Sequence, residues 1–518
     1  MPDLSYRPIS NLLEEFGKKN PSKVAIVDVD QRQSITFGEL AVAVDGIAHQ
    51  LVKLGVCKGS RIVLLGENSL EKVVLWLGIW RAAAVVCPID LNLISSAAES
   101  TLKAIKPDLI ILDNRENTFC DLGEICAPIV HFSSWQSNIT DEYTADVKLT
   151  FMSIIDEDDR RRLPSALISD LASMICTSGT TGVPKIVVND HLSYWENGQA
   201  TIDFLGLTEN DRILEYRSFD WYSPQILSMM PFLQKGLTMH VAKRFSYTHL
   251  PNWIEQYRVT VCAGVPTVIN ILIQQPVERA TNRFSSLRMM TCSSAPISVA
   301  HSTRFEDLYG VPLIQLYGSS EMGWICANRY NNQKLGTVGR PVKYVQFHIL
   351  DDCGDPCPQG VAGQVVVSGE KLAVGYLCPD GHIDLIRGKP LLMPDRAVAD
   401  EDGYVEITGR TDDIIIRGGI KISPIEIDEV LFGHPDIFEA VTIGIPDPIY
   451  GQNPACFVIL KPEAALDEAT IITYCEKRLA REKVPRRIFI VESLPRSVTG
   501  KILRNKLITE YKYGLEGL

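Results

Sequence analysis

Apolar and polar positions alternate in blocks along the first half of the chain. "LAVAVDGIAHQLVKLGV" (40–56) repeats apolar residues every three and four positions, which predicts a helix. "RIVLLG" (61–66) is a short apolar run and predicts a strand. The same contrast recurs: helix at 70–83, strands at 85–90, 107–113 and 127–132. Such alternation predicts mainly parallel sheets with helices on their faces. The stretch from about 140 to 168 is polar, with "DEDDRRR" at 156–162, and predicts a surface excursion. Beyond residue 335 the texture changes. Short β runs split by Gly/Pro turns (344–369) predict a compact antiparallel subdomain. "GRTDDIIIRGGIKISPIEIDEVL" (409–431) then opens a new unit, in which Ser423 is placed as N-cap, Pro424 at the first helical position and Glu426 in the first turn. This sets a boundary at about 410–413, with domains at 1–411 and 412–518.

Bulk properties narrow the classes. A length of 518 residues suits two to four domains, and a net charge of −12 argues against a general nucleic-acid binder. Thirteen cysteines are scattered without a framework of spacings. Cys353 and Cys357 flank a Gly/Pro turn, and a metal site there would need two more ligands. The start, "MPDLSYRPISNLLEEF", lacks an apolar signal region, and "VVLWLGIW" (73–80) is followed at once by Arg81. The expectation is a cytoplasmic protein without membrane insertion.

The densest chemistry lies in "TSGTTGVPK", Thr177 to Lys185. Hydroxyls donate, Gly179 and Gly182 let backbone N–H groups approach closely, and Lys185 supplies a point charge. A polyphosphate suits that set. Gly182 and Lys185 are too far apart for the strand–loop–helix P-loop, and "IVV" follows as a strand, so the loop reads as a hairpin between strands. By composition alone the stretch equally suits a flexible surface turn. "LYGSSE" (316–321) joins an aromatic, two hydroxyls and a carboxylate suited to Mg²⁺. Asp395 sits at a strand end where it can accept from both ribose hydroxyls, with Arg410 to assist, and Lys501 follows a glycine near the C-terminus.

Taken in order, these motifs resemble the adenylate-forming superfamily: acyl-CoA synthetases, peptide-synthetase adenylation domains and beetle luciferases. "TSGTTGVPK" resembles its phosphate loop, "YGSSE" its Y-G-x-T-E, "GRTDD" its hinge and "PRSVTGKILR" its catalytic-lysine motif, while "ITFGEL" and "GQVVVSGEKLAVGYL" match weaker blocks. The likeness covers nearly the whole chain. It implies an α/β fold: a large N-terminal domain of stacked sheets with flanking helices and a β-rich subdomain, then a small mobile α+β C-terminal domain. It also implies roles, with ATP and Mg²⁺ as cofactors. Thr177, Ser178, Thr180, Thr181 and Lys185 would hold the β- and γ-phosphates. Tyr317 would stack on adenine with Ser293 and Ser294 nearby. Ser320 would touch the α-phosphate, Glu321 would bind Mg²⁺ and Asp395 the ribose. Lys501 would bridge carboxylate, α-phosphate and ribose oxygen, and Asp412 would be the hinge. Three departures stand out: "MPD" replaces T-G-D before Asp395, Ser320 replaces Thr, and "SSAP" replaces the glycine-rich "GGAP". Outside the resemblance, Lys501 also reads as a surface lysine, Asp412 as a turn cap, and "KRLAREKVPRR" (477–487) as a solvated helix face.

The acid pocket is expected at "RSFDWYSPQ" (217–225). Phe219-Asp220 resembles the F-D-x-S of amino-acid-activating domains, where Asp pairs with the substrate amine, although Ser223 lies one residue late. A carboxylate among apolar neighbours is costly unless a cation arrives, which motivates an ammonium on the substrate. The competing reading has Asp220 bonded to backbone or solvent. Trp221, Pro224, Ala263, Met290, Cys292, Leu316, Trp324 and Ile325 match pocket-lining positions and suggest a small or medium, largely apolar side group. The expected activity is adenylation of an amino acid, β-amino acids included. Transfer to a phosphopantetheine thiol of a carrier protein in trans would follow. An acyl- or aryl-CoA ligase using free CoA, and a non-catalytic nucleotide-binding homologue, are the alternatives.

Overall fold

The computed structural model describes residues 6–90, 95–113, 127–132, 149–151, 155–177, 185–278, 280–496, 502–504 and 506–509. Two large sheets dominate. In one of nine strands, Val261–Cys262, Met289–Cys292 and Leu313–Ser319 run parallel beside Arg212–Glu215, and Gly323–Ala327 turns back antiparallel. In the other, of eight strands, Arg61–Leu65, Val85–Pro88, Leu109–Asp113, Ile129–Phe132 and Leu171–Cys176 are parallel. The predicted β–α alternation is therefore present.

One core cluster contains residues of both sheets and of the helices Phe37–Lys53, Leu70–Arg81 and His191–Leu205. A helix so placed has no water-facing side, and all twelve residues of Leu70–Arg81 are buried. The helix expected at 40–56 begins three residues earlier. Thr36 and Glu39 form a reciprocal capping box that satisfies the first free N–H groups.

The texture change after residue 335 corresponds to a four-stranded antiparallel sheet: Gln346–Leu350, Gly363–Ser368, Leu391–Ala399 and Val405–Arg410. One hairpin from this region departs. Gly375–Leu377 pairs with Ile186–Asp190 and extends the eight-stranded sheet, with Ile383–Leu385 outside it. The chain leaves the antiparallel sheet at Arg410, passes a 3-10 turn at Thr411–Asp413, and enters a last sheet at Ile415. That sheet, with helices Pro424–Phe432 and Glu468–Glu476, has its own core around Ile422, Leu431, Val458 and Ile488. Ser423 does precede the helix, but its side chain does not cap it. The hydroxyl donates to the Thr408 carbonyl, and Glu426 pairs with Lys483 at 2.7 Å. No described helix is long and apolar enough to cross a membrane.

Candidate active site

The stretch Thr177 to Lys185 connects two antiparallel neighbours, Leu171–Cys176 and Ile186–Asp190. Its ends are tied: the Thr177 N–H donates to the Lys185 carbonyl at 2.8 Å. Ser178, Gly179, Thr180, Thr181 and Gly182 lie outside the described residues, as does Lys501. Lys185 is exposed, and its ammonium stands 5.0 Å from the centre of the Tyr376 ring.

Tyr317 and Asp395 come from different sheets and meet. The Tyr317 hydroxyl donates to Asp395 Oδ2 at 2.7 Å. Burial first, then the Asp395 charge, pushes the phenol far above its ordinary range, so it stays a donor. Arg410 is opposite Asp395 in the antiparallel register, with Nε 3.8 Å from Oδ1 and no hydrogen bond from Nε among the described residues. An aromatic face, a carboxylate and a guanidinium with spare donors are thus adjacent. Ser293 is buried and accepts from Arg217 at 3.1 Å, while Arg217 is itself paired with Glu215 at 2.7 Å. Ser294 is exposed at φ +80°, a left-handed conformation that favours glycine. That explains physically why a glycine-rich sequence would suit this turn.

Ser320 and Glu321 occupy the tight turn between Leu313–Ser319 and Gly323–Ala327. Glu321 is partly exposed, and its Oε1 accepts from the Tyr376 hydroxyl at 3.0 Å. Ser319 Oγ accepts from the Met322 N–H at 3.1 Å; the half-exposed Glu321 carboxylate is a hard-oxygen donor of the kind Mg²⁺ takes. Tyr376 was absent from the residues the sequence singled out. Its only signal was position in the "AVGYL" block.

Around Asp220 the structure differs from the sequence argument. Asp220 is 6 % exposed, but it does not wait for a substrate cation. Lys72 Nζ pairs with its Oδ1 at 2.6 Å and also donates to the Gly66 carbonyl at 2.6 Å. The Ser218 hydroxyl donates to Oδ2 at 2.8 Å. Burial pushes the Asp220 carboxyl up and Lys72 pulls it back. The premise that only an arriving ammonium compensates this charge is therefore corrected. Lys72 escaped notice because a lysine in a first helical turn is usually solvated. The clue was the helix itself, apolar on every side and so required to be interior.

The other pocket positions are divided. Trp221 is half-buried and its indole N–H points to Asp90 at 3.4 Å. Pro224 ends a short α turn that continues as a π turn at Gln225–Met229. Ser223 itself lies within the α turn, before the π turn begins. Ala263, Leu316 and Trp324 share the central core, Met290 and Cys292 belong to a neighbouring cluster, and Ile325 packs with Met322, Val365 and Met393. Adjacent strand residues point to opposite faces, which separates Ile325 from Trp324. Trp324 is held at both backbone groups: its N–H donates to Asn197 Oδ1 at 3.0 Å, and Lys371 donates to its carbonyl and to the same Asn197 oxygen. Burial lowers the Lys371 ammonium to about 7 and raises the nearby Glu196 carboxyl to about 7. No motif in the sequence pointed to this interior lysine.

A hairpin ending in Lys185 and the carboxylates of Glu321 and Asp395 are the kinds of group a nucleotide and its metal would need. Comparison with known proteins identifies the family. Residues 13–377 match the family model described as AMP-binding enzyme, and residues 426–501 match AMP-binding enzyme C-terminal domain. The oxalate–CoA ligase of Arabidopsis thaliana is 27% identical over 507 residues, 96% of this chain and 97% of that protein. The 2-succinylbenzoate–CoA ligase of Geobacillus kaustophilus (strain HTA426) is 28% identical over 516 residues, covering 96% and 97%. Among solved structures, the anthranilate CoA ligase AuaEII in complex with anthranoyl-AMP superposes with a TM-score of 0.83 at 25% identity, covering 97% of each chain. ATP-bound MatB from Rhodopseudomonas palustris gives 0.84 at 23% identity, covering 97% and 99%, a likeness of fold.

Proposed function

Because the chain belongs to the AMP-binding enzyme family, whose members here include named acid–CoA ligases, we propose that it activates a carboxylic acid bearing no amine and joins it to coenzyme A. The observation that carries the acid class is the Lys72–Asp220 pair. An ammonium is already present where an amino substrate would have to bring one. An amine entering beside it would meet a like charge in a buried site. Apolar neighbours such as Phe219, Tyr222 and Ala263 suit an uncharged acyl group.

Two half-reactions follow. An oxygen of the acid attacks the α-phosphorus of ATP and pyrophosphate leaves, giving the acyl-adenylate. The CoA thiolate then attacks the acyl carbonyl and AMP leaves. Lys185 and the hydroxyls from Thr177 to Thr181 hold the leaving phosphates. Tyr317 covers the adenine, Asp395 accepts from the ribose, and Lys501 supports the charge developing on the α-phosphate. Bound at Glu321, Mg²⁺ supplies charge neutralisation to the phosphates. Asp412, in the turn between the last two sheets, is the hinge about which the small domain reorients between half-reactions.

A second reading keeps the amino acid and the carrier-protein acceptor. The Phe219-Asp220 sequence favours it, and it requires the substrate ammonium to displace Lys72. ATP–pyrophosphate exchange decides between them, run with matched acids that carry or lack the amine, followed by transfer to CoA or to a phosphopantetheinylated carrier protein. The expected result is exchange with the des-amino acids and a CoA thioester. Exchange restricted to amino acids overturns the CoA reading, and ATP binding without exchange for any acid returns the non-catalytic alternative.

A further inference from the structure

Tyr376 touches two candidate nucleotide-binding groups that come from separate parts of the chain. Its strand is fixed on both sides. Tyr376 is opposite Val187, two residues beyond Lys185, in the antiparallel pairing with Ile186–Asp190. Just before it, the Val374 N–H donates to the Val188 carbonyl at 2.8 Å and the Ala373 N–H donates to the Glu321 carbonyl at 2.7 Å. The segment is therefore fastened to the phosphate-loop strand and to the Glu321 turn at once. From this support the hydroxyl donates to Glu321 Oε1 at 3.0 Å, while the ring face lies 5.0 Å from the Lys185 ammonium.

We propose that Tyr376 is a positioning residue that couples the metal carboxylate to the phosphate-loop lysine. Its hydroxyl fixes the orientation of Glu321, and its ring holds Lys185 by cation–π attraction. One side chain thereby sets the spacing between the metal-facing and lysine-facing oxygens of a bound triphosphate. The proposal rests on the adenylating reading, yet it needs no knowledge of the acid.

The two contacts separate by substitution. Tyr376→Phe keeps the ring and removes the hydroxyl; Tyr376→Leu removes both. The measurements are Mn²⁺ binding to the full chain with ATP, by electron paramagnetic resonance, and ATP binding without metal, by calorimetry. Tyr376→Phe is expected to weaken Mn²⁺ binding about five- to tenfold, less than the roughly 10- to 100-fold scale of a direct hydrogen bond to a charged group because Tyr376 acts on the metal through Glu321, with metal-free ATP affinity within about twofold. Tyr376→Leu is expected to lower metal-free ATP affinity as well, by about threefold. In a Glu321→Gln background, Tyr376→Phe should add less than about twofold, because the coupled partner is already gone. Unchanged Mn²⁺ affinity in Tyr376→Phe, or an equal fall in both affinities, overturns the coupling and leaves only a packing role. A wild-type chain that binds no ATP overturns the adenylating reading instead.

Discussion

The acid loop and the nucleotide flank are both rich in charge, but they treat it in opposite ways. Within the acid loop the described charges Asp220 and Arg217 are buried and paired, Asp220 with Lys72 and Arg217 with Glu215. Along the candidate nucleotide flank, Asp395, Arg410, Glu321 and Lys185 are partly or fully exposed, and their contacts include the Tyr317 and Tyr376 side chains and the Arg410–Asp395 approach at 3.8 Å. The reason is solvation. A charge removed from water needs a permanent partner, whereas one left near water can wait for a ligand. The difference teaches that the buried charges are compensated within the fold, whereas the half-exposed ones keep access to water and to a ligand.

The contrast is broken most directly at Lys72. Lys72→Ala leaves Asp220 buried and uncompensated, which should cost about 3–5 kcal/mol of stability. Lys72→Met combined with Asp220→Leu should recover much of it, because a pair of apolar residues replaces a pair of charges. Urea unfolding of both variants checks this; equal loss in single and double variants would show that packing, not charge, holds the loop.

The buried side also sets an acid limit. Burial lowers His191 and His240 to about 4, below the unfolded value of about 6.5. Between those values the unfolded chain binds more protons, so stability falls as pH drops from about 6.5 towards 4 and is unaffected by these groups above that window. Each contributes a slope of about 1.4 kcal/mol per pH unit at most. Thermal melts from pH 7.5 to 5 should show the decline, and His191→Asn should flatten it.

At the nucleotide flank the expectation reverses, with binding lost and stability kept. Asp395→Ala removes an acceptor for the ribose and should weaken ATP by about 1.5–3 kcal/mol, roughly 10- to 100-fold, while the melting temperature changes little. A large drop in melting temperature without a change in ATP affinity would place Asp395 among the structural charges. The smallest effect is at Ser294. Relieving its φ of +80° with Ser294→Gly should stabilise the chain by about 1 kcal/mol or less, read as a small rise in the melt.

Much of this was legible in the sequence. The β–α alternation predicted strands of the eight-stranded sheet, and the ordered motifs led to the family, because local periodicity and short ordered motifs are properties of the chain itself. Only the tertiary structure decided what each charge meets. Lys72 and Asp220 are 148 residues apart, Tyr317 and Asp395 are 78 apart, and Tyr376 and Glu321 are 55 apart. The apolar neighbours of Asp220 in sequence suggest that it needs a partner; they do not show whether that partner is a substrate cation, backbone, solvent or a lysine on a buried helix. That choice is made by distances of a few ångströms, over which Coulomb attraction and desolvation compete, and those distances exist only once the sheets have closed around the helix Leu70–Arg81.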